Sequence, residues 1–259
     1  MLKSMEGKSL DGRHALITGG GTGIGAAAAR ALAGAGARLS LLGRRVEPLE
    51  QIAGEIGGRA FRCDVTDKAS VEHAFAEARE AHGPVSILVV NAGVGDSAPF
   101  DRTPRETWDR IIATNLTSAF DCAQLALDDL LGSDNGRLIF VASVAGLRGA
   151  PYAAPYAASK HGMIGLMRSL AKEFAQSAMT VNAVCPGFVD TPMADETIAR
   201  IARATGREAD QARQAVAEMN ASGRLVQPEA VAATILTLCL PESRDVNGAA
   251  ITIDGGSTA

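Results

Sequence analysis

Tyr156 and Lys160 stand four residues apart in Tyr156-Ala157-Ala158-Ser159-Lys160, a stretch with helical spacing, so both side chains share one helix face. An ammonium beside a phenol favours the phenolate and draws the tyrosine pKa down from about 10, which suits proton exchange near neutrality. Thirteen residues before the tyrosine, the apolar run Phe140-Val141-Ala142 ends in Ser143, whose hydroxyl is placed to hydrogen-bond the same substrate oxygen. Alone, a Tyr-x-x-x-Lys pair is most often an ordinary helix surface. The strand-end serine, together with the glycine turn described next, favours proton transfer to a substrate oxygen.

That glycine turn suits an anion. The apolar run 14–18 leads into Thr18-Gly19-Gly20-Gly21-Thr22-Gly23-Ile24-Gly25 and then an alanine-rich helix over 26–35. In a strand, glycine turn and helix of this kind the backbone can approach a pyrophosphate closely, and the helix N-terminus offers free N–H groups and the positive end of its dipole. Gly21-Thr22-Gly23-Ile24-Gly25-Ala26 satisfies the Gly/Ala-ended form of G-x-G-x-x-G, although the strict form counted from Gly19 fails at Ile24. A nucleotide triphosphate loop is excluded, because Ala26 stands where that loop requires lysine. An NAD site places Asp or Glu about 20 residues beyond the glycines. Here no acid occurs between Ala26 and Val46, and the second apolar run ends Gly43-Arg44-Arg45. The forked guanidiniums of Arg44 and Arg45 match a 2′-phosphate, so NADP(H) is the expected cofactor and NAD(H) the alternative.

The elements that must position these groups follow from periodicity. Apolar runs at 14–18, 38–42, 60–65, 86–90, 137–141, 179–185 and 250–253 alternate with helical stretches such as 68–82, where Val71, Phe75, Ala78 and Ala81 recur at helical spacing. Nearly continuous apolar strands between helices imply an α/β fold: a single-domain, doubly wound Rossmann fold with a seven-stranded parallel sheet and helices on both faces. Nothing marks a domain boundary in 1–259, and a chain of 259 residues leaves no length for a separate catalytic domain. The stretch at about 191–222 holds two helix-like pieces without a strand and is expected to cover a substrate.

Composition bounds the partners. Hydrophobic residues make up 47% and charged residues 21%, which is ordinary for a globular chain. The net charge of −4 and a pI near 5.6 leave no footprint for nucleic acid or an anionic membrane. Cys63, Cys122, Cys185 and Cys239 are scattered, without ligand or redox spacing, so no metal site is expected and a reducing cytoplasm fits. The opening residues 1–8 lack the apolar region of a signal peptide, and no apolar run is long enough for a membrane span.

Taken in order, these motifs resemble the short-chain dehydrogenase/reductase family over nearly the whole chain. Thr18, Gly19, Gly23 and Gly25 match its T-G-x-x-x-G-x-G turn, Asn91-Ala92-Gly93 its Asn-Ala-Gly motif, and Tyr156 with Lys160 its Tyr-x-x-x-Lys pair. Further matches are Cys63-Asp64-Val65, Asn115 in Thr114-Asn115-Leu116, Pro186-Gly187-Phe188-Val189-Asp190-Thr191 and Asp254-Gly255-Gly256; Val90 departs, where a second Asn often stands. The resemblance implies that Tyr156 is the general acid in carbonyl reduction and the base in reverse. Lys160 would lower its pKa and bind the nicotinamide ribose, Ser143 would stabilise the developing alkoxide, and Asn115 would hold a water linking Lys160 to solvent. For Asn115 the alternative is a helix-interior side chain bonded to backbone. Asp64 and Val65 would contact the adenine, Asn91, Ala92 and Gly93 the adenosine ribose and the turn after the fourth strand, and Val189 and Thr191, after Pro186-Gly187, the carboxamide.

Substrate selection is expected from 94–97, from 145–152 and from the insertion, with Leu147, Arg148, Tyr152, Phe188 and Met193 as wall residues. The balanced charges of the insertion read as solvated helix faces. By overall pattern, including Gly223-Arg224-Leu225-Val226-Gln227-Pro228-Glu229, the chain is similar to the 3-oxoacyl-thioester reductases of the family. The leading expectation is reduction of a 3-oxoacyl group carried on acyl carrier protein or coenzyme A to a 3-hydroxyacyl group. A carbonyl reductase or secondary-alcohol or 3-hydroxyacyl dehydrogenase for another ketone is the rival. A non-catalytic NADP(H)-binding regulator is more remote, since it has no need of a tuned tyrosine. The family implies a homotetramer built on the helices at 104–131 and 152–175. His161, about 100° round the helix from Lys160, and Trp108 are expected to pack or to lie at a subunit surface. Cys185 is expected to be unactivated.

Overall fold

The structure, a computed structural model, describes residues 9–259; the segment 1–8, read above for a leader, lies outside the described residues. Along the chain run β1 (His14–Thr18), α1 (Gly23–Gly34), β2 (Arg38–Gly43), α2 (Val46–Ile56), β3 (Arg59–Arg62), α3 (Lys68–His82), β4 (Ile87–Val90) and α4 (Arg105–Ile112). There follow α5 (Ser118–Leu131), β5 (Arg137–Val141), α6 (Ala154–Glu173), β6 (Thr180–Pro186), α7 (Pro192–Thr205), α8 (Ala209–Ala217), α9 (Pro228–Cys239) and β7 (Ala250–Ile253). The seven strands form one parallel sheet in the order β3-β2-β1-β4-β5-β6-β7, the expected doubly wound arrangement. Among the described residues no helix is long and apolar enough to cross a membrane, and no cluster of His, Cys, Asp and Glu could hold a metal.

Both sheet faces are buried, which is why the strands read as unbroken apolar runs. Leu16, Leu88, Leu138, Phe140 and Val181 pack against Phe75 of α3, Cys122 and Leu130 of α5 and Met163 and Met167 of α6. The alternate residues Ile17, Leu41, Val89, Ile139 and Val184 pack against Ala28, Ala29 and Leu32 of α1, Leu49 and Ile52 of α2 and Ile235 and Leu238 of α9. The third strand ends at Arg62 rather than at residue 65, because the Asp64 N–H turns to the Ser70 hydroxyl at 3.0 Å. The expected helix over 104–131 is also divided: a single π turn, Ala113–Thr117, separates α4 from α5 and carries Asn115. The strand order reverses between β1 and β4, so their carboxyl ends open the crevice where ligands of such sheets bind.

The opposite sheet edge holds a pH-sensitive side chain. His14 is 1% exposed, its Nδ1 lies 2.8 Å from the Gly83 carbonyl oxygen and its Nε2 2.8 Å from Ser40 Oγ. A neutral ring satisfies both contacts, with Nδ1–H donating and Nε2 accepting. Burial pushes its pKa from 6.5 down to about 4, with His82 and Arg38 pushing the same way and the Gly83 carbonyl opposing them. The unfolded chain therefore binds the proton more readily: stability from this group is whole above about 6.5 and is lost as pH falls toward 4, by about 3 kcal/mol. Thermal melts at about pH 7 and about pH 4.5 should show a fall that His14→Gln largely lacks; equal falls would exclude His14 as the cause.

Candidate active site

β5 and α6 bring the proton-transfer residues together. Beyond the end of β5, Ser143 is buried, and its Oγ accepts the Ala145 N–H at 3.1 Å, which leaves the hydroxyl proton to donate elsewhere. Pro155 in the first turn starts α6 and presents Tyr156 and Lys160 one turn apart. The short 3-10 turn Val144–Gly146 docks tightly on this helix, since a Cβ at Gly146 would meet the Lys160 carbonyl oxygen at 2.7 Å. Lys160 is 4% exposed and pairs with no carboxylate among the described residues; its Nζ donates to the Val141 carbonyl oxygen at 2.8 Å and lies 5.7 Å from the Tyr156 ring centre. Burial lowers the Lys160 pKa to about 8, with Cys185 opposing, so the side chain remains mostly cationic at neutral pH.

The titration of Tyr156 differs from the sequence expectation. Burial raises the phenol above its ordinary value, a hydrogen bond with Ser143 opposes the rise, and Cys185 adds to it. Burial is the largest cause, and the Lys160 ammonium donates to the Val141 carbonyl rather than to the phenol oxygen. The phenol thus stays protonated at neutral pH. Cys185 is an inert thiol, its pKa pushed up to about 11 by burial.

Asn115 is fully buried in the π turn. Its Nδ2 donates to the Val94 carbonyl oxygen at 2.9 Å and to Ser159 Oγ at 3.1 Å, while its Oδ1 accepts the Val94 N–H at 2.8 Å. The backbone-bonded alternative accounts for these contacts, yet the residue also borders the lysine. A Cβ on Gly93 would lie 3.3 Å from Asn115 Oδ1 and 3.8 Å from Lys160 Nζ, so this glycine borders both side chains. A π turn often marks a functional position.

At the crevice between β1 and β4, Thr18 Oγ1 accepts the N–H groups of Asn91 and Ala92, each at 3.0 Å, and Asn91 Nδ2 donates to the carbonyl oxygens of Thr18 at 2.9 Å and Gly19 at 3.1 Å. Asn91 therefore ties the two strand ends together. Gly19 and Gly23 have φ of 67° and 54°, in the left-handed region, and Gly25 has no space for a Cβ between the Gly19 carbonyl and the Asn91 amide. α1 begins at Gly23 without a capping side chain from Thr22 and without an acid in its first turn, so its N–H groups are free for an anion; Ile24 behind it packs against the core. Arg44 and Arg45 are exposed beyond β2 and make no ion pair with the described residues. Asp64 Oδ1 accepts from the Thr66 hydroxyl and N–H, which hold its carboxyl below the usual range with smaller help from Arg44, and Val65 beside it is buried. The uncapped helix, the closely packed glycine turn and the two free guanidiniums fit a dinucleotide bearing a 2′-phosphate.

The segment from Pro186 through Gly187, Val189 and Thr191 borders the same crevice. A Cβ at Gly23 would meet the Thr191 methyl group at 3.0 Å, and one at Gly95 would lie 3.6 Å from Met193 Sδ and 4.0 Å from the Tyr156 ring. The first turn of α7 therefore stands beside the tyrosine. Of the other expected wall residues, Leu147 packs against the α5 and α6 core, Phe188 against Ile198 and Val216 of the insertion, and Arg148 donates to the Ser257 carbonyl oxygen at 2.7 Å. Tyr152 is exposed with φ of 63°, a strained value for a non-glycine residue, and its carbonyl oxygen accepts the Ala98 N–H at 2.8 Å. His161 is exposed, and Trp108 is 38% exposed.

Asp96 lies within the segment 94–97 expected to select the substrate, but the sequence does not show its ion-pair partners. One carboxylate oxygen pairs with Arg200 of α7 at 3.0 Å and the other with Arg110 of α4 at 3.0 Å, and Arg200 also reaches Ser97 Oγ at 2.9 Å. The loop after β4 is thereby latched to the insertion next to Gly95 and Met193.

A family model described as short chain dehydrogenase matches residues 13–202. The chain is 38% identical over 249 residues to the granaticin polyketide synthase putative ketoacyl reductase 1 of Streptomyces violaceoruber, covering 93% of this chain and 92% of that protein. It is 37% identical over 256 residues to the D-beta-hydroxybutyrate dehydrogenase of Cupriavidus necator, covering 96% and 99%. Among solved structures, a single-residue variant of actinorhodin polyketide ketoreductase with NADPH superposes with a TM-score of 0.91 at 34% identity, over 95% of this chain and 97% of that one.

Proposed function

The chain belongs to the short-chain dehydrogenase family, and on that premise we propose that it reduces the keto group of a 3-oxoacyl thioester with NADPH, giving a 3-hydroxyacyl thioester. The observation that carries this reading is the meeting of Ser143, Tyr156 and the buried cation of Lys160 beside a glycine turn flanked by Arg44 and Arg45, which form no ion pair among the described residues. When bound, NADPH supplies the hydride. Tyr156 donates its proton to the carbonyl oxygen, Ser143 donates a hydrogen bond to that oxygen as charge develops on it, and the Lys160 ammonium stabilises the phenolate left behind. In oxidation the same groups act in reverse. Residues 186–191 would hold the carboxamide end of the cofactor and Arg44 with Arg45 its 2′-phosphate. The helices at 192–217 would cover the substrate, in a single-domain chain whose sheet edge carries cofactor and catalytic residues alike.

The similarity to a ketoacyl reductase supports the thioester substrate, on acyl carrier protein or coenzyme A. The similarity to D-beta-hydroxybutyrate dehydrogenase favours a second reading, a free 3-oxo acid or 3-hydroxy acid. Steady-state turnover of acetoacetyl-CoA against acetoacetate and a panel of simple ketones separates the two. We expect acetoacetyl-CoA to be turned over with the highest kcat/KM, and absence of thioester turnover would overturn the choice. The same reading places the enzyme in the cytoplasm as a homotetramer. Four buried, unpaired thiols and the exposed rings of Trp108 on α4 and Phe120 on α5 are in keeping with that.

A further inference from the structure

Asp190 lies between Val189 and Thr191, and its carboxylate is gripped from the insertion. One Nη of Arg213, on α8, is 2.7 Å from both carboxylate oxygens, and the other is 3.5 Å from Asp195 in the first turn of α7. A single guanidinium thus joins α8, the start of α7 and the segment that leads out of β6. The chain returning from the insertion grips the same segment from its backbone side. Asn220, 2% exposed, accepts the Phe188 N–H at 2.9 Å and donates to the Phe188 carbonyl oxygen at 2.9 Å and to that of Arg224 at 2.8 Å. The Asp190 N–H donates to the Val226 carbonyl oxygen at 2.9 Å, and Val189 bridges to Val226 in parallel. Thr191, the next residue, touches the glycine turn at Gly23.

We propose that Arg213 is a positioning residue for the cofactor: by holding Asp190 it sets Thr191 against the glycine turn, so that the helical cover and the dinucleotide site close as one unit. This deepens the proposed function and rests on it. The second ion-pair system of the cover is separate. Arg200 ties α7 to Asp96 on the loop after β4, next to Met193 and Tyr156, and so borders the ketone rather than the dinucleotide. The two arginines of one insertion are therefore predicted to act on different ligands. Both pairs are partly exposed, so each effect is modest, as expected for ion pairs that solvent screens.

The test is NADPH titration by fluorescence, with thermal melts and a KM-against-kcat comparison, on the full-length protein and its Arg213→Gln, Arg213→Lys, Asp190→Asn and Arg200→Gln variants. Arg213→Gln and Asp190→Asn should each weaken NADPH binding about five-fold, Arg213→Lys should recover part of the loss, and Arg200→Gln should raise the ketone KM with NADPH affinity held within about two-fold. Wild-type NADPH affinity in Arg213→Gln would overturn the proposal. So would tighter binding in Asp190→Asn, which would mean that Arg213 only neutralises a carboxylate near an anionic ligand. Equal losses in Arg213→Gln and Arg200→Gln would reduce the effect to general loosening of the cover and overturn it as well. Wild-type protein that binds no NADPH would instead remove the proposed function itself.

Discussion

Tyr156→Phe is expected to lower kcat for ketone reduction by about three orders of magnitude while NADPH binds as it does to the wild-type protein. The substitution removes one oxygen from a half-buried ring and keeps its packing; Ser143 loses a hydrogen-bond partner, whereas the Lys160 ammonium, which bonds to the Val141 carbonyl and not to the phenol, loses none. What disappears is the phenolic proton, on a group whose pKa burial raises. The raised value keeps it in the acid form, and the Ser143 hydroxyl and the nearby cation then favour its ionisation as the carbonyl oxygen takes the proton. Stopped-flow or steady-state NADPH oxidation, with a fluorescence titration of the cofactor, checks both halves. A variant retaining a tenth or more of wild-type kcat would show that another group donates, and one that no longer bound NADPH would show that the hydroxyl serves the cofactor rather than the proton.

The sequence made the fold legible where local chemistry and burial agree. α3 runs from Lys68 to His82 as its periodicity predicts, because the Asp67 carboxylate caps the Ala69 N–H at 3.1 Å and Gly83 closes the helix with φ of 81°. The site residues were legible as motifs, since Tyr156 and Lys160 declare themselves by spacing and the glycine turn by composition. The titration of Tyr156 was not. Sequence shows an ammonium four residues away, whereas the burial that raises the phenol exists only once β5, β6 and α6 are assembled. The π turn at Asn115 was hidden for the same reason, as its amide is satisfied by Val94 and Ser159 from other parts of the chain. Arg200 and Arg213 looked like two of many balanced charges on solvated helices; their roles appear only when the fold sets Asp96 and Asp190 opposite them. Leu147 and Phe188, read from sequence as wall residues, also pack against neighbouring core clusters, as an apolar side chain near a site readily does.

Arg44→Asp is expected to reverse the cofactor preference, lowering kcat/KM for NADPH by about 100-fold and leaving NADH equal or better. Arg44 follows Gly43 at the carboxyl end of β2 and is exposed, without an ion-pair partner among the described residues. Its guanidinium is therefore available to a 2′-phosphate at no cost in broken contacts, and a charge-assisted hydrogen bond of that kind contributes about 1.5–3 kcal/mol. The substitution removes that bond and sets a carboxylate against the phosphate, beside Asp64, whose own carboxyl already feels Arg44. Arg44→Gln separates the two effects: it removes the bond without adding repulsion, so its loss should be about ten-fold, with Arg45 still in place. NADH gains because an acid at this position can accept from a free ribose hydroxyl, which is what an NAD site provides. The ratio of kcat/KM for the two cofactors, measured at one saturating ketone concentration, decides the matter. If the wild-type protein already prefers NADH, the two arginines at the end of β2 are merely solvated; if an NADPH preference stays put in Arg44→Asp, the 2′-phosphate is recognised elsewhere.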